Sequence, residues 1–96
     1  MPLGREDLQD ALALLTGWAR NPRELRRTLS LDESEHAALT ERVKVVADAL
    51  QLHPEIRRLN GQTQITVYAA NGTVSSDEVR LAARIEDIYQ AVRSHA

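Results

Sequence analysis

The sequence contains no cysteine, which excludes disulfide bonds, thiol chemistry and most zinc sites. Aromatic side chains are scarce, with one tryptophan, two tyrosines and no phenylalanine, so the core must be mainly aliphatic. No apolar run reaches the length of a membrane span or of the hydrophobic part of a signal peptide. The formal net charge of −2 provides no general attraction to nucleic acid or to an anionic membrane. These absences predict a cytoplasmic protein that binds neither.

What is present is the composition of a small globular protein. The chain has 96 residues, of which 43% are hydrophobic and 27% are charged, with only three prolines and four glycines. This length accommodates one domain, spanning residues 1–96. A chain this short buries only about 60–65% of its unfolded surface, so a monomer is expected to be marginally stable. Association with a second copy or with another protein is therefore favoured.

Hydrophobic periodicity predicts three helices. Leucines and an alanine on one helical face indicate a first helix at 8–15, with Gly17 after its end. A second helix is capped by Asp32 or Ser34 and runs to about Leu50. A third helix starts near Ser76, where Ser75 and Glu78 form a capping-box pattern.

Two β-hairpins separate these helices. The first joins 18–20 to 25–31 through Asn21-Pro22, and the second joins 56–59 to 62–70 through Asn60-Gly61, the strongest short hairpin signal in a sequence. The resulting order is α-β-β-α-β-β-α. It predicts an α+β fold in which a four-stranded antiparallel sheet is covered by helices on one face.

The three histidines are the first candidates for chemistry. Their spacing matches no metal-ligand motif, and the chain has no glycine-rich phosphate loop, so no metal or cofactor is expected. His36 lies on a polar helical turn and His95 adjoins the C-terminus, so both are expected to be solvated. His53 lies between the end of a helix and Pro54. Because a helix C-terminus favours a charged histidine anyway, position alone leaves structural and catalytic roles open.

Four arginines, Arg26, Arg27, Arg57 and Arg58, are interpreted as a basic strip on the sheet. With few aromatic residues and a negative net charge, a nucleic-acid interface is not expected there. Arginine-rich sheet faces are usually solvated surfaces or protein contacts.

Several motifs follow one another along the chain: Gly17-Trp18, Asp48-x-x-x-Leu52-His53-Pro54, the Asn60-Gly61 hairpin, Ile65-Thr66-Val67, and Val74-Ser75-x-x-Glu78. In this order they resemble the signature of the pterin-4a-carbinolamine dehydratase family over nearly the whole chain. The resemblance implies the family's fold, with dimers formed by joining sheet edges and further association through helices.

The same resemblance implies a degenerate active site. The family dehydrates a 4a-hydroxytetrahydropterin with a cluster of three histidines, whose positions correspond here to Leu52, His53 and Ala70 (Ala69 if the loop gap is placed earlier). A positioned acid or base contributes about 10²–10⁴ in rate, so an efficient enzyme is not expected. The residual catalytic candidates are His53 and Asp48. The predicted remnant of the pterin pocket comprises Leu52, His53, Pro54, Asn60 and Ala70.

Two functions therefore remain open. The resemblance favours a non-catalytic, homodimeric interaction protein, because some family members are transcription coactivators and others are assembly chaperones for RuBisCO in α-carboxysome bacteria. The sharper hypothesis is the RuBisCO chaperone, associated with carboxysomes, and the alternative is a weak 4a-hydroxytetrahydropterin dehydratase. Strand alternation predicts that a partner contacts the exposed sheet face, through Arg26, Thr28, Arg57, Gln64, Thr66 and Tyr68.

Overall fold

Four strands and two helices make up residues 17–94, the part of the chain that this computed structural model describes. In chain order they are β1 (Trp18–Asn21), β2 (Glu24–Ser30), α1 (Glu33–Ala49), β3 (Glu55–Leu59), β4 (Gln62–Tyr68) and α2 (Ser76–Ser94). The helix predicted at 8–15 and the histidine at 95 lie outside the described residues.

The strands form one sheet in the order β1-β2-β4-β3, and all neighbours are antiparallel. In the first hairpin the Asn21 side chain accepts the backbone N–H groups of Arg23 and Glu24 at 2.8 and 2.9 Å, which stabilises the turn. In the second, Asn60 and Gly61 both have positive φ, 50° and 78°, as a two-residue hairpin turn requires. The predicted α+β fold with a four-stranded antiparallel sheet is confirmed.

Helix α1 begins with a complete capping box. The Asp32 carboxylate accepts the Glu35 N–H at 2.8 Å, and the Glu35 carboxylate accepts the Asp32 N–H at 3.0 Å, so Asp32 rather than Ser34 is the cap. Helix α2 begins after Ser75, whose carbonyl accepts the Val79 N–H at 3.2 Å. Neither described helix contains an apolar stretch of membrane-spanning length.

The hydrophobic core lies between the helices and one face of the sheet. Leu25 and Leu29 of β2 lie in register with Val67 and Thr63 of β4, and these four side chains are buried. The helices contribute Leu39, Val43 and Ala47 from α1, and Leu81, Ala82, Ile85, Tyr89 and Val92 from α2. Alternate strand residues point to the other face of the sheet, which the described helices leave open.

Trp18 anchors the first strand to α2. Its indole N–H donates to the Glu86 carboxylate at 2.8 Å, and Arg27 Nε donates to the same oxygen at 2.8 Å. Arg27 also reaches the Gly17 carbonyl, and a Cβ at position 17 would collide with its guanidinium group. Local packing therefore fixes Trp18, whereas a side chain at position 17 would displace the flexible end of Arg27.

Candidate functional site

A cleft of about 420 Å³ opens between α1 and the start of β3. Its lining residues are Thr40, Lys44, Ala47, Asp48, Leu52, His53, Pro54 and Ile56. The cleft thus contains both residual catalytic candidates, together with three of the five residues predicted as a pocket remnant.

The end of α1 positions this cleft. The Gln51 N–H donates to the Asp48 carbonyl at 3.1 Å and the Leu52 N–H returns to the Ala47 carbonyl at 2.9 Å, the bond pattern of a Schellman motif. Gln51 occupies the left-handed position of this motif, with φ 58°. The reversal buries Leu52 in the core and leaves His53 exposed, and Pro54 prevents any continuation of the helix.

The cleft has an apolar floor and a polar rim. Ala47 and Leu52 are buried, while Lys44, Asp48 and His53 are exposed around them. The Thr40 hydroxyl is buried and has no hydrogen-bond partner among the residues that the structure describes. Within residues 17–94, the side chains of His53 and Asp48 form neither a hydrogen bond nor an ion pair, although a catalytic histidine is normally held in one tautomer by such a partner.

Two predicted pocket residues lie elsewhere. Asn60 is in the tight turn at the far end of β3, and Ala70 follows β4, where its N–H donates to the Glu78 carboxylate at 3.0 Å. Neither is among the residues that line the cleft. The strand predicted to reach Ala70 ends at Tyr68.

The prediction that His36 is solvated is wrong. His36 is half-buried, and its Nδ1 lies 2.8 Å from the Thr63 hydroxyl, which also accepts a hydrogen bond from Arg58 at 3.2 Å. Thr63 is fully buried on the helix-facing side of β4. The sequence signal for this contact was Thr63 itself, a polar residue at an inward strand position, since a buried hydroxyl needs a hydrogen-bond partner.

The predicted basic strip is also wrong as one surface. Arg26 and Arg57 lie on the open face of the sheet, whereas Arg27 and Arg58 point towards the helices and bond Glu86 and Thr63. Adjacent residues of a strand necessarily point to opposite faces.

The open sheet face carries paired charges. Arg26 forms an ion pair with Glu24 at 3.0 Å, and Arg57 forms one with Glu55. The Tyr68 hydroxyl donates to Glu55 at 3.3 Å. Its pKa is raised above the ordinary value, first by partial loss of solvation and then by the Glu55 carboxylate.

The predicted contact residues on this face differ in exposure. Arg26, Thr28, Arg57 and Tyr68 are exposed, whereas Gln64 is half-buried. Thr66 was expected to be exposed but is 4% exposed, because it lies in register between Arg26 of β2 and Glu55 of β3. The accessible part of the face is therefore formed by Arg26, Thr28, Arg57 and Tyr68.

Glu78 is a buried carboxylate that the site prediction omitted. It is 1% exposed and accepts hydrogen bonds from the Ser75 hydroxyl at 2.7 Å and from the Ala70 N–H. The capping-box pattern pointed to the Ser75 contact, but the bond to Ala70 depends on the course of the loop. Glu78 thus holds the connection between β4 and α2.

Comparison with known proteins identifies the family. The model of pterin 4 alpha carbinolamine dehydratase matches residues 1–88. The chain belongs to this family. It is 28% identical over 97 residues to a Streptomyces coelicolor protein named as a candidate pterin-4-alpha-carbinolamine dehydratase, covering 98% of this chain and 96% of that protein.

A solved structure supports the fold independently. The crystal structure of a transcriptional coactivator/pterin dehydratase from Brucella melitensis matches with a TM-score of 0.76 at 19% identity. The match covers 93% of this chain and 99% of the Brucella chain. The pterin dehydratase fold predicted from the motif order is confirmed.

Proposed function

We propose that this pterin dehydratase family member is a non-catalytic, dimeric factor that binds and assembles another protein. The observation that carries the proposal is the composition of the cleft. Of the three positions that carry histidine in the family, only His53 presents an imidazole there. Leu52 is packed into the core, and Ala70 lies outside the lining.

The chemistry explains why this loss matters. Dehydration of a 4a-hydroxytetrahydropterin needs one group to protonate the leaving hydroxyl and another to accept a proton from the ring nitrogen. Each positioned acid or base contributes about 10²–10⁴ in rate, and groups that act together are not additive. A cleft with one unoriented histidine therefore supports slow turnover at best.

A stopped-flow assay with chemically generated carbinolamine tests the proposal. We expect turnover at least about a hundredfold below that of a histidine-complete relative, the loss predicted for one missing acid or base. Turnover within a few-fold of such a relative would contradict the non-catalytic function. A His53→Ala variant measured alongside shows whether any residual rate comes from the cleft.

Among partners, RuBisCO of an α-carboxysome bacterium is the sharpest candidate. The support is the resemblance, since the family includes assembly chaperones for RuBisCO and this chain is small and has lost most of the catalytic histidines. The partner surface in this proposal is the open sheet face, where Arg57 and Tyr68 are exposed residue types that often dominate interface energies. Association with carboxysomes follows from the same proposal.

Capture from the native lysate tests both the partner and the surface. With the full chain as bait, mass spectrometry is expected to identify RuBisCO, and Tyr68→Ala or Arg57→Ala is expected to reduce its recovery. The matched variant is His53→Ala, which should retain the partner. Loss of the partner with His53→Ala alone would show that the partner binds at the cleft and not on the sheet face. Neighbouring genes for carboxysome shell proteins, or instead for pterin enzymes, provide an independent check.

A second candidate function is a weak 4a-hydroxytetrahydropterin dehydratase. The observation that favours it is that His53 and Asp48 line the same cleft. In that case His53→Ala would abolish a measurable turnover without affecting capture of a protein partner.

A further inference from the structure

The chain contains three asparagines, and the residue that follows each one decides how its side chain can react. An asparagine loses its amide when the backbone nitrogen of the next residue attacks the side-chain carbonyl, and a following glycine hinders this attack least because it has no Cβ. The asparagines at positions 60 and 71 each precede a glycine, whereas Asn21 precedes Pro22. Because proline has no backbone N–H, Asn21 is unreactive by this route.

The Asn60-Gly61 pair is held by the second hairpin. The two residues form its turn, and the residues on either side, Leu59 and Gln62, are already paired as strand neighbours. Attack by the Gly61 nitrogen requires rotation about the Asn60 Cα–C bond, and this rotation breaks the strand pairing next to the turn. Reaction at Asn60 therefore requires local opening of the hairpin.

The Asn71-Gly72 pair lies in the connection between β4 and α2, where no strand pairing holds it. Residues 71–73 are exposed. The Gly72 N–H donates to the Ala69 carbonyl at 3.5 Å, which is longer than the usual range for a hydrogen bond. A Cβ placed on Gly72 would meet no atom of the described residues within 4 Å, so the space beside this glycine is open. The Gly72 nitrogen is thus free to approach the Asn71 side chain.

The backbone on both sides of this pair is fixed. The Ala70 N–H donates to the buried Glu78 carboxylate at 3.0 Å, and the Val74 N–H donates to the Pro22 carbonyl at 2.8 Å. A change in the length of the backbone between these two anchors must therefore displace one of them.

We propose that Asn71 is a site of spontaneous deamidation, and that its isoaspartate product weakens the connection between β4 and α2. The Gly72 nitrogen, after losing its proton, forms a bond to the side-chain carbonyl carbon of Asn71, and the amide nitrogen leaves as ammonia. Water then opens the resulting succinimide at either carbonyl, which gives aspartate or isoaspartate. The overall reaction consumes a water molecule and releases ammonia, so it needs neither an oxidant nor an enzyme.

The two products differ in their effect on the loop. Aspartate keeps the backbone unchanged and adds a negative charge. Isoaspartate adds the same charge but also places an additional methylene in the backbone between the anchors at Ala70 and Val74. Because Asn71 is not among the residues that line the cleft, the proposal does not depend on the assembly function or on catalysis there.

Peptide mass spectrometry of the full chain, after incubation at neutral pH, tests the site. We expect Asn71 to be converted at least about tenfold faster than Asn60, because reaction at Asn60 first requires opening of the hairpin. In urea both turns are lost, and the two asparagines should then react at similar rates. Enzymatic methylation of isoaspartate distinguishes this product from aspartate.

Three variants sharpen the test. Asn71→Gln is expected to remove the conversion, because the longer side chain would have to close a larger ring. Gly72→Ala keeps Asn71 but places a Cβ beside the attacking nitrogen in open space, so it should slow the conversion. Asn60→Gln is the matched control, expected to leave the total conversion of the folded chain unchanged. Circular dichroism confirms that each variant is folded.

The separated products test the structural consequence. Ion exchange separates the deamidated chains from the parent by their additional negative charge. We expect the isoaspartate form to unfold at a lower urea concentration than Asn71→Asp, which carries the same charge on an unchanged backbone. Asn71→Asp itself should unfold like the wild-type chain.

Three results would overturn the proposed site. These are equal rates at Asn60 and Asn71 in the folded chain, conversion of Asn71 in urea but not in the folded chain, and a product without isoaspartate, since water would then attack the amide directly. An isoaspartate form that unfolds like Asn71→Asp would overturn the proposed weakening of the loop.

Discussion

Glu78 is a buried side chain that stabilises the loop between β4 and α2. Its carboxylate accepts hydrogen bonds from the Ala70 N–H and the Ser75 hydroxyl. Both bonds are part-buried, and removing the acceptor of such bonds costs about 1–3 kcal/mol. We expect Glu78→Ala to lower the free energy of unfolding by about 2 kcal/mol in urea denaturation. The exposed neighbour provides the control, since Asp77→Ala should change it by less than about 0.5 kcal/mol. Equal effects of the two variants would contradict a structural role for Glu78.

Tyr68 provides a residue-scale prediction of pH dependence. Partial desolvation and then the Glu55 carboxylate raise the pKa of its hydroxyl above 10.0, so the phenol keeps its proton at a pH where an unperturbed tyrosine is half ionised. We expect Glu55→Gln to lower this pKa towards the ordinary value, because the carboxylate no longer opposes a phenolate. Spectrophotometric titration in a Tyr89→Phe background isolates the Tyr68 transition. An unchanged midpoint in Glu55→Gln would show that Glu55 has no effect.

At the same scale, contacts between residues close in sequence could be predicted, whereas contacts between distant residues could not. His53 and Asp48 meet in one cleft because a helix end and the following strand fix their relation locally. The contact between His36 and Thr63 depends instead on how α1 lies across β4. Such packing is set by the whole core, and hydrophobic periodicity in one segment contains no information about it.

Among the elements, the end of α1 holds a residue in an unfavourable conformation. Gln51 has φ 58°, in the left-handed region, where a side chain with a Cβ costs roughly 1–2 kcal/mol and glycine does not. We expect Gln51→Gly to raise the free energy of unfolding by about 1 kcal/mol. Ala37→Gly is the matched control, because it places glycine at an exposed position inside α1 and should lower stability by about 0.5–1 kcal/mol. Destabilisation by both variants in chemical denaturation would contradict this interpretation of the cap.

Turn chemistry explains why the elements themselves could be predicted. Asn60-Gly61 and the helix cap are local devices whose residue types determine the backbone geometry. The hairpin turn occurs as predicted, and Asp32 is the cap out of the two predicted candidates. Strand ends were less predictable: β4 ends at Tyr68, and two residues later the Ala70 N–H donates to Glu78. The four arginines interpreted as a basic strip are divided between the two faces of the sheet, because adjacent residues of a strand point to opposite faces.

For the whole molecule, the open sheet face leaves room for the proposed protein contact, and the sheet edges leave room for the proposed dimer.

The proposed dimer is the last prediction, and the charges of an edge strand make it specific. In the described sheet β1 and β3 are the edges. If two β3 strands pair antiparallel about Ile56, Glu55 of each copy lies opposite Arg57 of the other on the same face, and opposite charges there are stabilising. Arg57→Glu would place like charges opposite one another twice. We therefore expect light scattering to show twice the chain mass for wild type and a monomer for Arg57→Glu.

Combining Glu55→Arg with Arg57→Glu restores the complementary charges in reversed order, so this double variant should recover the dimer. Arg26→Glu changes an arginine on the same face but on the interior strand β2, and it should remain dimeric. A monomeric wild type, or a dimer that Arg57→Glu leaves intact, would exclude pairing through β3. A dimer lost in Arg57→Glu but not recovered in the double variant would place Arg57 at the contact without this register.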